Sequence, residues 1–211
     1  MVIDSGSTDC TVELAKEHGA KVSFRAWTND FSAQRNFALE QTDADWVLYL
    51  DADERLNENV IAEVKRIVAS GVMDAQYAFT RKSGAFGKIF SYGVLYPDQV
   101  CRLFPRKAVV WVNKVHEHPE CKLPEKHLSG YVTHYTYKDW YEWEGKLCLY
   151  TTIWAEDAYK KGKRTTMAGI FQHSVGAFFK MFVLRRGFLD GGLGIYLCFA
   201  HGFYTMLKYL K

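Results

Sequence analysis

Two acidic side chains one residue apart, Asp51 and Asp53, stand where an unbroken apolar run, Trp46-Val47-Leu48-Tyr49-Leu50, stops abruptly in Asp51-Ala52-Asp53-Glu54. If the chain relaxes into a turn there, both carboxylates face one crevice. Hard divalent cations take oxygen ligands, and Mg²⁺ commonly bridges one or two carboxylates to substrate phosphates. The chemistry on offer is metal-assisted handling of a phosphate, with a solvated acidic turn as the plainer alternative. A second polar turn, Asp4-Ser5-Gly6-Ser7-Thr8-Asp9, comes after the short apolar start Met1-Val2-Ile3. Thr8 and Asp9 suit the cap of the next helix, whereas Asp4, at the strand end, is placed to hydrogen-bond a nucleobase or ribose.

The elements around these turns read as α/β. After the Asp4 turn a helix runs to about His18, with Gly19 placed to stop it. Val22 and Phe24 alternate as a short strand, and Ser32 to Gln41 reads as a helix with Ser32 as its cap. The run 46–50 has the continuous apolarity of a parallel strand covered on both faces. Val60, Val64, Ile67 and Val68 recur at helical spacing. This βαβ succession predicts a parallel sheet, whose ligands lie beyond the carboxyl ends of its strands. From 75 to 137 the pattern is strand-rich (77–79, 100–104, 109–115, 131–137), with a flexible loop expected at 83–93. Beyond Lys138 it is helical: one long helix, then apolar helices near 168–184 and 191–209.

The 211 residues are 48% hydrophobic and 24% charged, enough apolar content for a folded core, which excludes a disordered or coiled-coil chain. A net charge of +3 is too small to argue for a nucleic-acid partner. Residues 168–211, however, carry Lys180, Arg185, Arg186, Lys208 and Lys211 against Asp190 alone. Five cysteines without a CxxC pair make a disulfide framework or zinc site unexpected and suit a reducing cytoplasm. Met1 leads straight into an acidic turn, so no secretory leader is expected.

Six stretches together carry a resemblance: Val2 to Asp9, Ser32-Ala33-Gln34-Arg35-Asn36-Phe37-Ala38, Leu48 to Glu54, Arg102-Leu103-Phe104, Val115-His116-Glu117 and Arg186-Gly187-Phe188-Leu189-Asp190-Gly191. In this order they resemble a family-2 glycosyltransferase with the GT-A nucleotide-diphospho-sugar-binding fold, of the branch that adds sugars to the lipopolysaccharide inner core. The resemblance implies a Rossmann-like α/β domain with a mostly parallel central sheet over 1–137 and a C-terminal helical extension over 138–211. Such enzymes usually carry a further strand, turn and helix ahead of the Asp4 motif. Their lack here predicts an N-terminally truncated sheet with an unpaired edge.

The same resemblance implies the chemistry of the site. It places a divalent metal, Mg²⁺ or Mn²⁺, on Asp51 and Asp53, with His134 completing the shell. It assigns Asp4, Arg35, Asp51 and Arg102 to the donor, expected to be UDP-glucose; guanidinium is the usual bidentate partner of phosphate. It makes Glu117 the base that takes the proton of the acceptor hydroxyl, with His116 orienting it or touching the diphosphate. The implied acceptor is a lipopolysaccharide core heptose or related glycolipid, and transfer is a single inverting displacement. A non-catalytic membrane-binding remnant, or transfer to a polyprenyl phosphate, are the alternatives. Gln172, His173, Lys180 and His201 interrupt the two apolar helices, which are expected to lie on the cytoplasmic face of the membrane rather than to cross it.

Overall fold

The computed structural model describes residues 1–113 and 117–211. The expected role of His116 therefore lies outside the described residues. In chain order the elements are β1 (Val2–Asp4), α1 (Thr11–Glu17), β2 (Val22–Phe24), α2 (Phe31–Glu40), β3 (Trp46–Leu48), β4 (Glu54–Leu56), α3 (Glu58–Ser70) and β5 (Gln76–Ala85). They continue with β6 (Lys88–Ile89), β7 (Asp98–Pro105), β8 (Val109–Val112), β9 (His118–Cys121), β10 (Glu125–Tyr137), α4 (Trp140–Lys160), α5 (Met167–Phe179) and α6 (Gly191–Leu210). Two compact units result, one of residues 1–50, 62–79 and 101–128, the other of 51–61, 80–100 and 129–211.

In the first unit β1 and β2 pair in parallel, Val2 opposite Val22 and Asp4 opposite Phe24, as a βαβ succession requires. Gly19, at φ +78°, ends α1 in a backbone conformation that a side chain would strain. The cap of α2 is Asp30, two residues before the expected Ser32. Its carboxylate accepts from the Ala33 N–H at 2.9 Å and from the Ser32 hydroxyl at 2.8 Å. Strand β3 is the outer member of the order β3-β7-β5 and lies antiparallel to β7, Val47 opposite Phe104. The apolar run 46–50 is therefore not a strand buried on both faces. Its strand residues are half-buried and Leu50 is exposed. Apolarity at an edge reflects sideways packing here: Val47 and Tyr49 lie against the core of Phe104, Val109 and Trp111.

In the second unit the order is β5-β10-β4, with β6 folded back on β5. Glu54 of β4 faces His134 of β10 in antiparallel register. Of the β1–β2, β3–β7, β4–β10 and β5–β6 ladders only the first is parallel, which corrects the expectation of a mostly parallel sheet. The two short strands flanking Asp51 do not pair with each other: β3 takes β7 and β4 takes β10, each antiparallel. The stretch 83–93 is not a plain loop, because the end of β5 and β6 form a hairpin there.

Helices α5 and α6 pack in opposite directions through Phe178 on Phe199 (4.6 Å between centroids) and a Ser174 hydroxyl donating to Gly202 O at 2.7 Å. Their link is built on the buried Asp190, whose carboxylate accepts from the Ser91 and Tyr92 N–H groups at 3.1 and 2.8 Å. The Lys88 amine donates to its carbonyl. Residues Met167–Leu184, α5 plus one π turn, form a helix of 18 residues with mean hydropathy 1.3, long and apolar enough by length and composition to cross a membrane. Gln172, His173 and Lys180 lie within that window, where Phe, Val, Met and Leu outweigh them.

Candidate functional site

The Asp51–Glu54 turn is closed from both ends. Glu54 N–H donates to Asp51 O at 2.9 Å, and the Asp51 N–H donates back to Glu54 Oε2 at 3.1 Å. Glu54 is 1% exposed and lies 3.6 Å from the Arg81 guanidinium, which also holds Asp98 at 2.7 Å. A carboxylate this deeply buried requires such a partner. The buried acid of the motif is thus Glu54, which anchors the turn, while Asp53 is left facing outward with half of its side chain exposed. Asp53 Oδ2 lies 3.0 Å from His134 Nε2, and the backbone repeats the contact through Tyr135 N–H to Asp53 O at 2.8 Å. The structure therefore brings together two of the three expected metal ligands. Asp51, half-buried, helps to close the same turn.

Asp53 and His134 offer one carboxylate and one imidazole side by side, which would hold a divalent cation and let it neutralise phosphate charge. No three His, Cys, Asp or Glu side chains form a ready metal cluster among the described residues, so the protein would supply a minority of the ligands.

The first unit holds the other candidates. Its organiser is Gln34-Arg35-Asn36 on α2, Gln34 reaching the Asp4 turn and Arg25 while Arg35 and Asn36 both meet Trp111 of β8. Gln34 donates to the Ser5 hydroxyl and accepts from Arg25, both at 2.7 Å. Asn36 clamps Trp111, donating to its carbonyl at 2.8 Å and accepting from its N–H at 2.9 Å. Arg35, half-buried, stacks 4.6 Å over the Trp111 ring and lies 3.6 Å from Glu117 Oε1. The Tyr49 hydroxyl donates to Arg35 O at 3.1 Å, and burial pushes this phenol up to about 12.

The structure thus brings Arg35 and Glu117 into one ion pair, and Arg35 is not a solvated helix face. Arg102 is buried on β7, its carbonyl accepting from Tyr49 N–H at 2.9 Å. Asp4 builds its own turn: it accepts from Gly6 N–H at 2.9 Å, from Ser7 N–H and from the Ser7 hydroxyl, which lowers its carboxyl below 3.8. Asp9 caps the start of α1 by accepting from Thr11 N–H at 3.1 Å.

An α2 that gathers the Asp4 turn, β2 and β8, ahead of an acidic turn beyond β3, agrees with the match between the chain and known families. The family model described as glycosyl transferase family 2 matches residues 1–111, more than half of the protein. The chain belongs to glycosyl transferase family 2. It is accordingly a transferase with an α/β fold of the GT-A kind, which takes a nucleotide-sugar donor and an acceptor, and enzymes of this family generally use a divalent metal.

An uncharacterized glycosyltransferase of Rickettsia typhi is 26% identical over 231 residues, covering 100% of this chain and 76% of that protein. One of Rickettsia bellii is 28% identical over 228 residues, covering 100% of this chain and 76% of that protein. Among solved structures, the crystal structure of S. aureus TarS 1-349 aligns with 99% of this chain and 70% of that one, at 14% identity and a TM-score of 0.43.

Within this glycosyltransferase, sequence reasoning missed Glu54, Gln34 and Asn36. Glu54 was signalled only by its place directly after Asp53 in the acidic turn. The two amides carried no such signal, because their partners are backbone and side-chain groups as far as 75 residues along the chain.

Proposed function

We propose that this family-2 enzyme moves glucose from UDP-glucose to a hydroxyl of a lipopolysaccharide core or related glycolipid by a single inverting displacement. The observation that carries the reading is the Asp53–His134 contact, held at the end of a turn whose other acid is buried and paired. Asp53 and His134 are the residues that would hold a Mg²⁺ or Mn²⁺, with Asp51 beside them. When bound, the cation supplies charge neutralisation to the departing nucleoside diphosphate.

Glu117 is the candidate base. It accepts the proton of the acceptor hydroxyl as that oxygen bonds to the anomeric carbon and the bond to the diphosphate breaks. Arg35, braced on Trp111 and 3.6 Å away, fixes the direction in which that carboxylate points. Asp4 and Arg102 serve the nucleotide and diphosphate, the first from its turn after β1 and the second from β7.

Attachment to the cytoplasmic face of the membrane belongs to the same proposal, because a lipid-borne acceptor presents its hydroxyl there. It is supported by the apolar Met167–Leu184 helix, of which 11% is buried, with Lys180 on it and Arg185 and Arg186 directly beyond. Apolar helices flanked by basic residues favour an anionic interface.

The test is sugar transfer from UDP-glucose with Mn²⁺ by Asp53→Ala and His134→Ala. Both are expected to lose on the order of 10²-fold or more in kcat/KM with the fold retained, since a ligand is removed from the cation that takes up leaving-group charge. A chelator should abolish the wild-type activity. Undiminished transfer by Asp53→Ala would overturn the metal assignment.

A further inference from the structure

Where the end of α4 meets the end of α6, the second unit borders an open hollow of roughly 210 Å³ lined by Trp154, Tyr159, Lys163, Arg164, Lys208 and Lys211 among others, and by no acidic side chain among the described residues. Three of the cations are held against neutral groups. Lys208 lies 4.2 Å over the Trp154 ring, Arg164 lies 4.4 Å over Tyr159, and Lys211 donates to Cys148 O, Thr151 and Thr152. Such contacts fix and partly dehydrate a cation without cancelling its charge. Lysines at the ordinary surface commonly sit beside carboxylates, as Lys146 does with Glu142 and Lys161 with Asp157. None of these four does so among the described residues. Four like charges around one concavity repel one another until an anion enters.

We infer that this hollow is a phosphate site and that it takes the phosphodiester headgroup of an anionic lipid at the membrane surface. The inference rests on the membrane attachment proposed above. Phosphate is the anion that multiple donors in a concave, aromatic-walled site suit. A lipid is favoured over a free phosphate by the adjoining start of α5. Thr165 lines the hollow, and two residues later α5 opens with Met167 and then Phe171 exposed over nearly three-quarters of their surface. A bound headgroup would therefore set its acyl chains beside apolar side chains already facing outward.

The test is co-sedimentation of the full chain with phosphatidylcholine vesicles containing about one-third phosphatidylglycerol, an anionic surface at which each basic residue contributes on the order of fivefold. Lys160→Ala/Lys161→Ala, which removes as much charge from the adjoining turn, is expected to lower the partition coefficient by no more than the ~30-fold that two unspecific charges give, whereas Arg164→Ala/Lys208→Ala lowers it on the order of 300-fold. Arg164→Lys/Lys208→Arg should restore binding, which separates lost recognition from a damaged fold.

Equal losses in the two alanine pairs would overturn the site and leave membrane attachment standing. Failure of the wild type to bind any vesicle would overturn both. In a second arm, inorganic phosphate is titrated into the full chain. Saturable binding removed by Arg164→Ala/Lys208→Ala, with vesicle binding unchanged by that pair, would overturn the lipid as the occupant.

Discussion

Glu54 and Asp53 are neighbours with opposite fates. The first is 1% exposed and joined to Arg81; the second is half exposed and joined to His134. β4 begins at Glu54, which the strand turns inward while Arg55 faces out, and Asp53 stays in the turn ahead of the strand. Glu54→Gln keeps the volume and removes the charge, leaving Arg81 with Asp98 as its carboxylate partner. We expect a loss of about 1–3 kcal/mol in urea-unfolding free energy, less than for a wholly buried pair because Arg81 is partly exposed and keeps that second partner. A loss under about 0.5 kcal/mol would show that the backbone bonds alone close the turn, since that is the scale of an uninvolved surface change.

At the scale of elements, the β5–β6 hairpin carries an unusual turn. Phe86 and Gly87 both have positive φ, 51° and 74°, the geometry of a two-residue hairpin in which Asn-Gly is the favoured pair. A phenylalanine is disfavoured there, and it is held by stacking flat on Trp140 of α4, 3.8 Å between centroids and 12° between planes. The expected outcome is a coupling. Trp140→Ala costs about 1–2 kcal/mol in the wild type and less than half of that in a Phe86→Asn background, since stacked pairs contribute on this scale and Asn relieves the turn. Additive losses in a double-mutant cycle would show that the turn and the helix are independent. The same contact explains why 83–93 read as a flexible loop: its ordering comes from a partner more than fifty residues later in the chain.

For the molecule as a whole, the surface of α5 and its continuation is the anomaly. Phe171 and Leu184 are 72% and 78% exposed, in a chain with enough buried apolar residues for a core in each unit. Side chains that exposed contribute little to folding, so Phe171→Ser/Leu184→Ser should leave the unfolding free energy within about 0.5 kcal/mol of wild type. The same pair should markedly weaken partition into anionic vesicles, because it removes most of the apolar area of two large side chains from the interface. Unchanged partition would mean that charge alone holds the protein to the membrane.

By itself, the amino-acid order determined the family, the αβ alternation of the first seventy residues, the stop at Gly19 and the three late helices. Each is a matter of local pattern: periodicity, capping chemistry or a short motif whose residue types admit few other uses. Only the tertiary structure decided that β3 is an antiparallel edge strand rather than a strand covered on both faces. It also decided that Glu54 and not Asp53 is buried, that Arg35 answers Glu117, and that four cations, two from the chain between α4 and α5 and two from the end of α6 and the residue after it, share one hollow. Those outcomes turn on which distant groups are brought within a few ångströms, and no spacing along a chain encodes that distance.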